Sequence, residues 1–181
     1  MPICRNPVFQ LINSSRSCNN SLAICGRTGI LEGIMTQPLK LMAIDAEDVQ
    51  VISSVLQDAI VPACDMTFHK KDASFVMAVQ RFKWDGINPL LPRAANDTDV
   101  YERISCAIEV QGVQQVQFSG MNPNDPAAMF ELLALKLEGD HLYFIFAGEG
   151  QMRLTLADWS MKLADFGEAW PTTYCPSHER P

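Results

Sequence analysis

From residue 66 onward, apolar residues recur at about every second position, and this alternation limits the fold more than any other feature of the chain. Between Tyr101 and Val110, for example, apolar residues alternate with Arg103, Ser105 and Glu109. A period of two places successive side chains on opposite faces of a strand. The pattern predicts about seven antiparallel strands, near residues 66–68, 74–84, 101–110, 113–119, 132–137, 142–147 and 152–156.

The connections between these segments are typical of an antiparallel meander. Glu138-Gly139-Asp140 and Gly148-Glu149-Gly150 predict tight hairpins, and Gly112 predicts a turn between two of the strands. Residues 85–100 and 120–126 predict longer loops. A meander of this length either closes into a barrel or splits into two packed sheets.

A strand–helix unit precedes the meander. Leu39 to Ile44 alternates and predicts a short strand. Asp45 is a typical N-cap, because its side chain can accept a hydrogen bond from the first turn of a helix. Apolar residues then follow at helical spacing, which predicts a helix of about four turns that ends before Pro62; these residues are Val49, Ile52, Leu56, Ala59 and Ile60.

The end of the chain admits two interpretations. Trp159, Leu163 and Phe166 have helical spacing, and Gly167 suits the position after a helix, so we expect a helix over 158–166. A strand is the alternative, since Met161 also alternates with its neighbours. The predicted fold is therefore an α+β domain with an N-terminal strand–helix unit, an antiparallel meander and a C-terminal helix, similar in architecture to pleckstrin-homology domains.

Composition changes near Met35. Residues 1–34 contain Arg5, Arg16 and Arg27 but a single acid, Glu32, and they show no sustained period. We interpret them as an extension outside the domain, disordered or derived from a misassigned start. We expect one domain over 35–170 and a flexible tail over 171–181.

Charge and cysteine spacing restrict the classes of partner. The net charge is −7, which disfavours binding to nucleic-acid phosphates and to anionic membranes. The six cysteines include no CxxC pair and no zinc-type spacing with histidine, so we expect reduced thiols, a cytoplasmic location, no metal and no cofactor. A protein partner remains open, as does the oligomeric state.

Over about 35–170 the sequence resembles a family of small uncharacterised bacterial proteins, a family defined by a domain of unknown function. The matching residues are Leu39-Lys40-Leu41, Ala43, Asp45, Leu56-Gln57-Asp58-Ala59, Arg81-Phe82, Trp84, Glu102-Arg103, Asp125-Pro126, Leu132-Leu133-Ala134, Asp165, Gly167 and Trp170. The resemblance implies a bacterial cytoplasmic protein and assigns no activity.

No catalytic constellation stands out in the sequence. His69 and His141 are predicted at strand ends, facing solvent, and Cys106 is predicted as a core thiol. Asp97, Asp99 and Glu102 are close in sequence but do not have the spacing of a calcium loop. We therefore predict no catalytic residues and no metal ligands.

One polar set is a candidate ligand or partner surface: Gln57, Asp58, Arg81, Trp84 and Arg103. Arginine beside an aromatic ring can bind a carboxylate or phosphate, or can form an interface hot spot. The structural interpretation is an ion pair from an arginine to Asp58 that ties the helix to the sheet.

Two functions follow from these alternatives. The first is a non-catalytic cytoplasmic binding or adaptor protein. The second is a protein that binds a small anionic molecule, or an enzyme that acts on one, in a pocket formed by Arg81, Arg103 and Trp84. An apolar cavity containing these groups would favour the second function, and an exposed apolar patch would favour the first.

Overall fold

A computed structural model describes residues 38–83 and 101–173. Several predictions fall on other parts of the chain and lie outside the described residues. They concern the extension over 1–34, the position of Trp84, the loop acids Asp97 and Asp99, and the tail from residue 174.

The described residues form eight strands and one α-helix. The strands are β1 (Lys40–Ala43), β2 (Ala59–Pro62), β3 (Met66–His69), β4 (Ser74–Phe82), β5 (Tyr101–Ser119), β6 (Met129–Glu138), β7 (His141–Phe146) and β8 (Gln151–Thr172). The helix, α1, spans Ala46–Leu56, and short 3-10 turns lie at Ala63–Asp65 and Lys70–Asp72. None of the helical segments described is long and apolar enough to cross a membrane.

Six of the strands pair in a closed ring, and every pairing is antiparallel. The order around the ring is β8, β5, β4, β2, β6 and β7, and β7 pairs again with the beginning of β8. The β2–β4 link is short, with Ile60 opposite Gln80. Strand β1 pairs with the second half of β8, and β3 pairs with the first half of β4.

Period-two patterning explains the core inside this ring. In β7, Leu142, Phe144 and Phe146 are buried, whereas Tyr143 and Ile145 between them are only half-buried. The inward residues of β4, β5 and β8 join the same hydrophobic cluster. Burial of each such side chain contributes about 1.5–3 kcal/mol relative to exposure.

The predicted N-terminal strand–helix unit is present. The Asp45 side chain caps α1 by accepting a hydrogen bond from the Asp48 amide at 2.9 Å. The helix packs on β1 and β6, and the hydroxyl of Ser53 accepts a hydrogen bond from the Leu135 amide at 2.8 Å. Its buried face consists of Val49, Ile52 and Leu56.

The predicted end of this helix is wrong. The helix stops at Leu56, and Asp58 adopts a left-handed backbone conformation with φ of 61°. Aspartate tolerates this region better than most residues. The chain then continues as β2, so Ala59 and Ile60 belong to a strand whose pairing with β6 overrides their helical spacing.

The predicted C-terminal helix is also wrong, because residues 158–166 lie within β8. Met161 and Leu163 face the core opposite Val110 and Ile108 of β5, while Lys162 is exposed. The alternating pattern therefore prevails over the helical one. Gly167 has the expected positive φ, 74°, but it lies at a β-bulge. Without the helix, the likeness to a pleckstrin-homology architecture no longer holds.

Gly112 does not form the predicted turn. It lies inside the continuous strand β5, at a register shift against β8. Its φ is +80°, and a Cβ atom there would lie 2.3 Å from the carbonyl oxygen of Ala157. A left-handed bulge with a close backbone approach requires glycine.

We expect Gly112→Ala to destabilise the domain more than Gly148→Ala. Both glycines have positive φ, but a Cβ at Gly148 meets nothing within 4 Å. The left-handed conformation alone costs roughly 1–2 kcal/mol for an alanine. At position 112 the new Cβ atom also clashes with the backbone, whereas at position 148 it does not. Urea midpoints of the two variants measure the difference. Equal midpoints would contradict the close approach of β5 and β8.

Candidate functional site

The predicted polar set divides into two clusters on opposite faces of the sheet. In the first cluster, Arg81 makes a two-pronged ion pair with Asp165: Nε donates to Oδ1 at 2.8 Å and Nη2 donates to Oδ2 at 2.7 Å. Both side chains are 3% exposed. A bidentate pair of this kind is among the stronger charged hydrogen-bond arrangements.

Asp165 extends this cluster to the beginning of the domain. Its Oδ2 accepts a hydrogen bond from the Leu39 amide at 3.1 Å, and its own amide donates to the Leu39 carbonyl at 2.9 Å. One buried carboxylate therefore holds together β4, β8 and the residue that precedes β1. Its neighbour across the sheet is Cys106 of β5.

The second cluster surrounds Arg103. Its Nη1 donates to the carbonyl oxygens of Gln80 at 3.0 Å and Asp58 at 3.2 Å. Its guanidinium carbon lies 5.8 Å from the centre of the Phe82 ring, within range of a cation–π contact. Arg103 is directly opposite Phe82 in the ladder, and Arg81 is opposite Ile104, so the two arginines project from opposite faces.

Of the remaining members of the predicted set, Gln57 and Asp58 lie between α1 and β2, and Trp84 lies outside the described residues. Arg103 contacts the backbone carbonyl of Asp58, and the Asp58 side chain is buried. Gln57 is exposed at the end of α1. Arg103 is thus bonded to the junction between α1 and β2, whereas Arg81 is bonded to β8.

Sequence reasoning missed Asp165 as a functional group of this cluster. Its assignment to a helix concealed its alternation with Met161 and Leu163, which places it on the inward face. Interpreted as a strand, the same residues would have placed a carboxylate among core positions. A buried carboxylate is usually paired with a cation. Arg81 is on the same inward face of β4, two residues beyond Val79, which shares a row with Cys106 and Asp165.

Cys106 is fully buried beside this ion pair. Burial, reinforced by the Asp165 carboxylate, raises the pKa of the Cys106 thiol well above its ordinary value. The thiol is the unreactive form, so this cysteine behaves as a core residue. Among residues 38–83 and 101–173, no group of three or more His, Cys, Asp or Glu side chains is arranged to hold a metal ion.

Three exposed apolar side chains lie on the strand–helix unit. Met42, Ile44 and Val51 are 59%, 63% and 54% exposed, and together we call them the apolar stripe. Met42 is on β1, Ile44 lies in the bend between β1 and α1, and Val51 is on α1. Val51 lies one helical turn beyond Asp48, whose carboxylate accepts a hydrogen bond from the Ile44 amide.

The described residues form a β-rich domain with a hydrophobic core and a buried ion pair. A family model described as protein of unknown function (DUF2948) matches residues 39–178, and the chain belongs to that family. This confirms the resemblance found in the sequence. No curated protein and no solved structure matches the chain.

We expect Arg81→Ala to cost about 3–5 kcal/mol of stability, because it leaves a buried carboxylate without its cation. Lys83→Ala is the matched control: it breaks the pair with Glu102, in which the two side chains are 17% and 46% exposed. An exposed pair of this kind contributes under about 1 kcal/mol. Urea midpoints compare the two variants.

A double variant separates the ion pair from other effects of the substitution. Arg81→Met with Asp165→Leu removes both charges, and we expect it to be more stable than Arg81→Ala but less stable than the unchanged protein, because it also removes the acceptor of the Leu39 amide. A midpoint for Arg81→Ala as high as that of Lys83→Ala would show that the buried pair does not stabilise the fold.

Cysteine labelling tests the environment of Cys106. Iodoacetamide at neutral pH should modify Cys64, which is exposed, and should leave Cys106 unmodified until the protein unfolds. The reason is that both burial and a raised pKa suppress the thiolate. Peptide mapping by mass spectrometry measures both sites in one sample, and rapid modification of Cys106 in the native protein would contradict the described core.

Proposed function

We propose that this domain is a non-catalytic binding protein of the bacterial cytoplasm, an adaptor that holds a protein partner on the apolar stripe. The observation that carries the proposal is the exposure of Met42, Ile44 and Val51 on one strand–helix unit. Single exposed apolar residues are ordinary on protein surfaces. Three of them on one strand–helix unit form the candidate interaction surface.

The position of β1 supports this surface. Within the described residues, β1 pairs with β8 on one side, and no strand pairs with its other side. Lys40 is exposed on β1, and the strand has only four residues, two features that protect an edge from indiscriminate strand pairing. Recognition would therefore rely on side chains of the apolar stripe more than on backbone pairing.

Charge indicates the chemistry of the partner. Asp45 and Glu47 are exposed beside the apolar stripe, Asp48 is half-buried there, and the whole chain has a net charge of −7. An acidic surface attracts positive partners and repels negative ones. The partner that fits best is a protein segment with apolar side chains flanked by lysine or arginine.

The competing function has less support. An anionic ligand at Arg81 and Arg103 would have to displace the Asp165 carboxylate or the carbonyl groups of Gln80 and Asp58. Displacing either would leave buried polar groups to be satisfied again. The engaged arginines therefore favour a structural role, and the exposed side chains favour binding of a protein.

Photo-crosslinking tests the proposed surface. A photo-reactive amino acid placed at position 44 should crosslink to a partner through a basic, apolar segment of that partner. The matched control places the same group at position 129, since Met129 is also 63% exposed but belongs to β6. Mass spectrometry of the crosslinked peptides identifies the contact.

The outcomes are distinct. Crosslinking from position 44 and not from 129, lost when Met42 and Val51 are replaced by Gln, supports the proposal. Equal crosslinking from both positions would show non-specific contact. Crosslinking of position 44 to a second copy of this chain would replace the adaptor function with self-association.

A further inference from the structure

The charged residues around the apolar stripe are divided by sign between the sheet and the helix. Lysines are the neighbours of Met42 on the sheet, and acidic residues are the neighbours of Val51 on α1, with Ile44 in the bend between the two elements. We call Met42 with its lysines the strand half of the stripe, and Val51 with its acids the helix half. The net charge of the whole chain therefore describes neither half.

In the strand half, Met42 lies beside two exposed lysines on the outer face of the sheet. Lys40 is two residues earlier in β1, so its side chain projects from the same face. Lys162 of β8 is directly opposite Met42 in the ladder, a position at which Cβ atoms are about 4.5–5.5 Å apart. Both lysines are exposed. The surface around the Met42 side chain is therefore positive.

The positive charges of the strand half have no ion-pair partner in the described part of the chain. Among residues 38–83 and 101–173, neither Lys40 nor Lys162 pairs with a carboxylate. Glu109 of β5 is opposite Lys162 on its other side, but its carboxylate accepts a hydrogen bond from the side-chain amide of Gln111 at 2.6 Å. The two ammonium groups can therefore pair with acidic side chains of a partner.

In the helix half, Val51 lies one turn from two acidic residues. Glu47 and Asp48 precede it by four and three residues, the spacings at which side chains are neighbours on a helix. Asp48 is already bonded, since its Oδ2 accepts a hydrogen bond from the Ile44 amide at 3.1 Å. Glu47 is exposed and makes no hydrogen bond or ion pair within the residues that the structure describes. Its carboxylate is therefore the charge that this half presents to a partner.

We propose that the partner held by the apolar stripe is a peptide segment with an apolar centre, an acidic end that contacts the strand half and a basic end that contacts the helix half. This inference rests on the proposed function, because it specifies the partner of the same surface. Opposite charges across an interface attract, and like charges placed against each other oppose binding. A segment that is basic at both ends is repelled at Lys40 and Lys162, and a segment that is acidic at both ends is repelled at Glu47. The two halves thus fix the orientation of the segment.

Three synthetic peptides with the same leucine-rich centre serve as probes. The mixed peptide has glutamates at one end and lysines at the other, the basic peptide has lysines at both ends, and the acidic peptide has glutamates at both ends. Fluorescence anisotropy measures their binding to the full chain, and a photo-reactive group at either end is mapped by mass spectrometry. We expect the mixed peptide to bind most tightly, with its glutamate end crosslinked to β1 or β8 and its lysine end crosslinked to α1.

Charge reversals test each half separately. We expect Lys162→Glu to weaken binding of the mixed peptide about fivefold and to strengthen binding of the basic peptide. Glu47→Lys should also weaken the mixed peptide but should strengthen the acidic one. Lys71→Glu is the matched control, because Lys71 is exposed in the turn between β3 and β4, and three strands separate β1 from β3. It should change binding of the mixed peptide less than about twofold.

The outcomes separate this inference from the proposed function. If the basic peptide binds as tightly as the mixed peptide and crosslinks to the stripe, the division of charge is overturned while the proposed function stands. Equal effects of Lys162→Glu and Lys71→Glu, or a glutamate end that crosslinks to α1, would also overturn it. Binding of none of the peptides would overturn the inference too, and photo-crosslinking from position 44 would then decide the proposed function by itself.

Discussion

The double pairing of β8 is the constraint on which the rest of this domain depends. Its first residues pair with β5 on one side and with β7 on the other, and its later residues pair with β5 and β1. Because every strand must satisfy its backbone groups in the ladder, one strand with three neighbours closes the ring and leaves few unpaired edges. The inward faces of the strands then enclose a single hydrophobic core.

The parts of this fold that could be predicted from sequence are those governed by local rules. Asp45 begins α1 because capping depends on a side chain and an amide three residues away. The hairpins at Gly139 and Gly148 depend on positive φ, which glycine adopts without strain. The helix end and the C-terminal strand depend on pairing with distant strands, β6 for residue 59 and β5 for residue 163, and local spacing does not encode that pairing.

The sequence predicted which arginines belong to the candidate site but did not predict their bonding partners. Arg81 and Arg103 could be selected because charged residues stood among apolar ones, and the structure places both in buried positions. Their partners could not be identified, since the bonds of Arg103 go to backbone carbonyls and Asp165 lies 84 residues from Arg81. The apolar stripe had no sequence signal of its own, because the exposure of Met42, Ile44 and Val51 depends on how β1 and α1 pack on the rest of the domain.

The buried ion pair and the exposed apolar stripe are connected through the register of β1. Asp165 bonds both the amide and the carbonyl of Leu39, and this fixes the position at which the chain enters β1. That register turns Ala43 into the core and leaves Met42 exposed. A slip of one residue would exchange these faces, burying Met42 and exposing Ala43. The buried ion pair, whose two side chains are 3% exposed, thus decides which side chains β1 presents outside, including that of Met42 in the proposed binding surface.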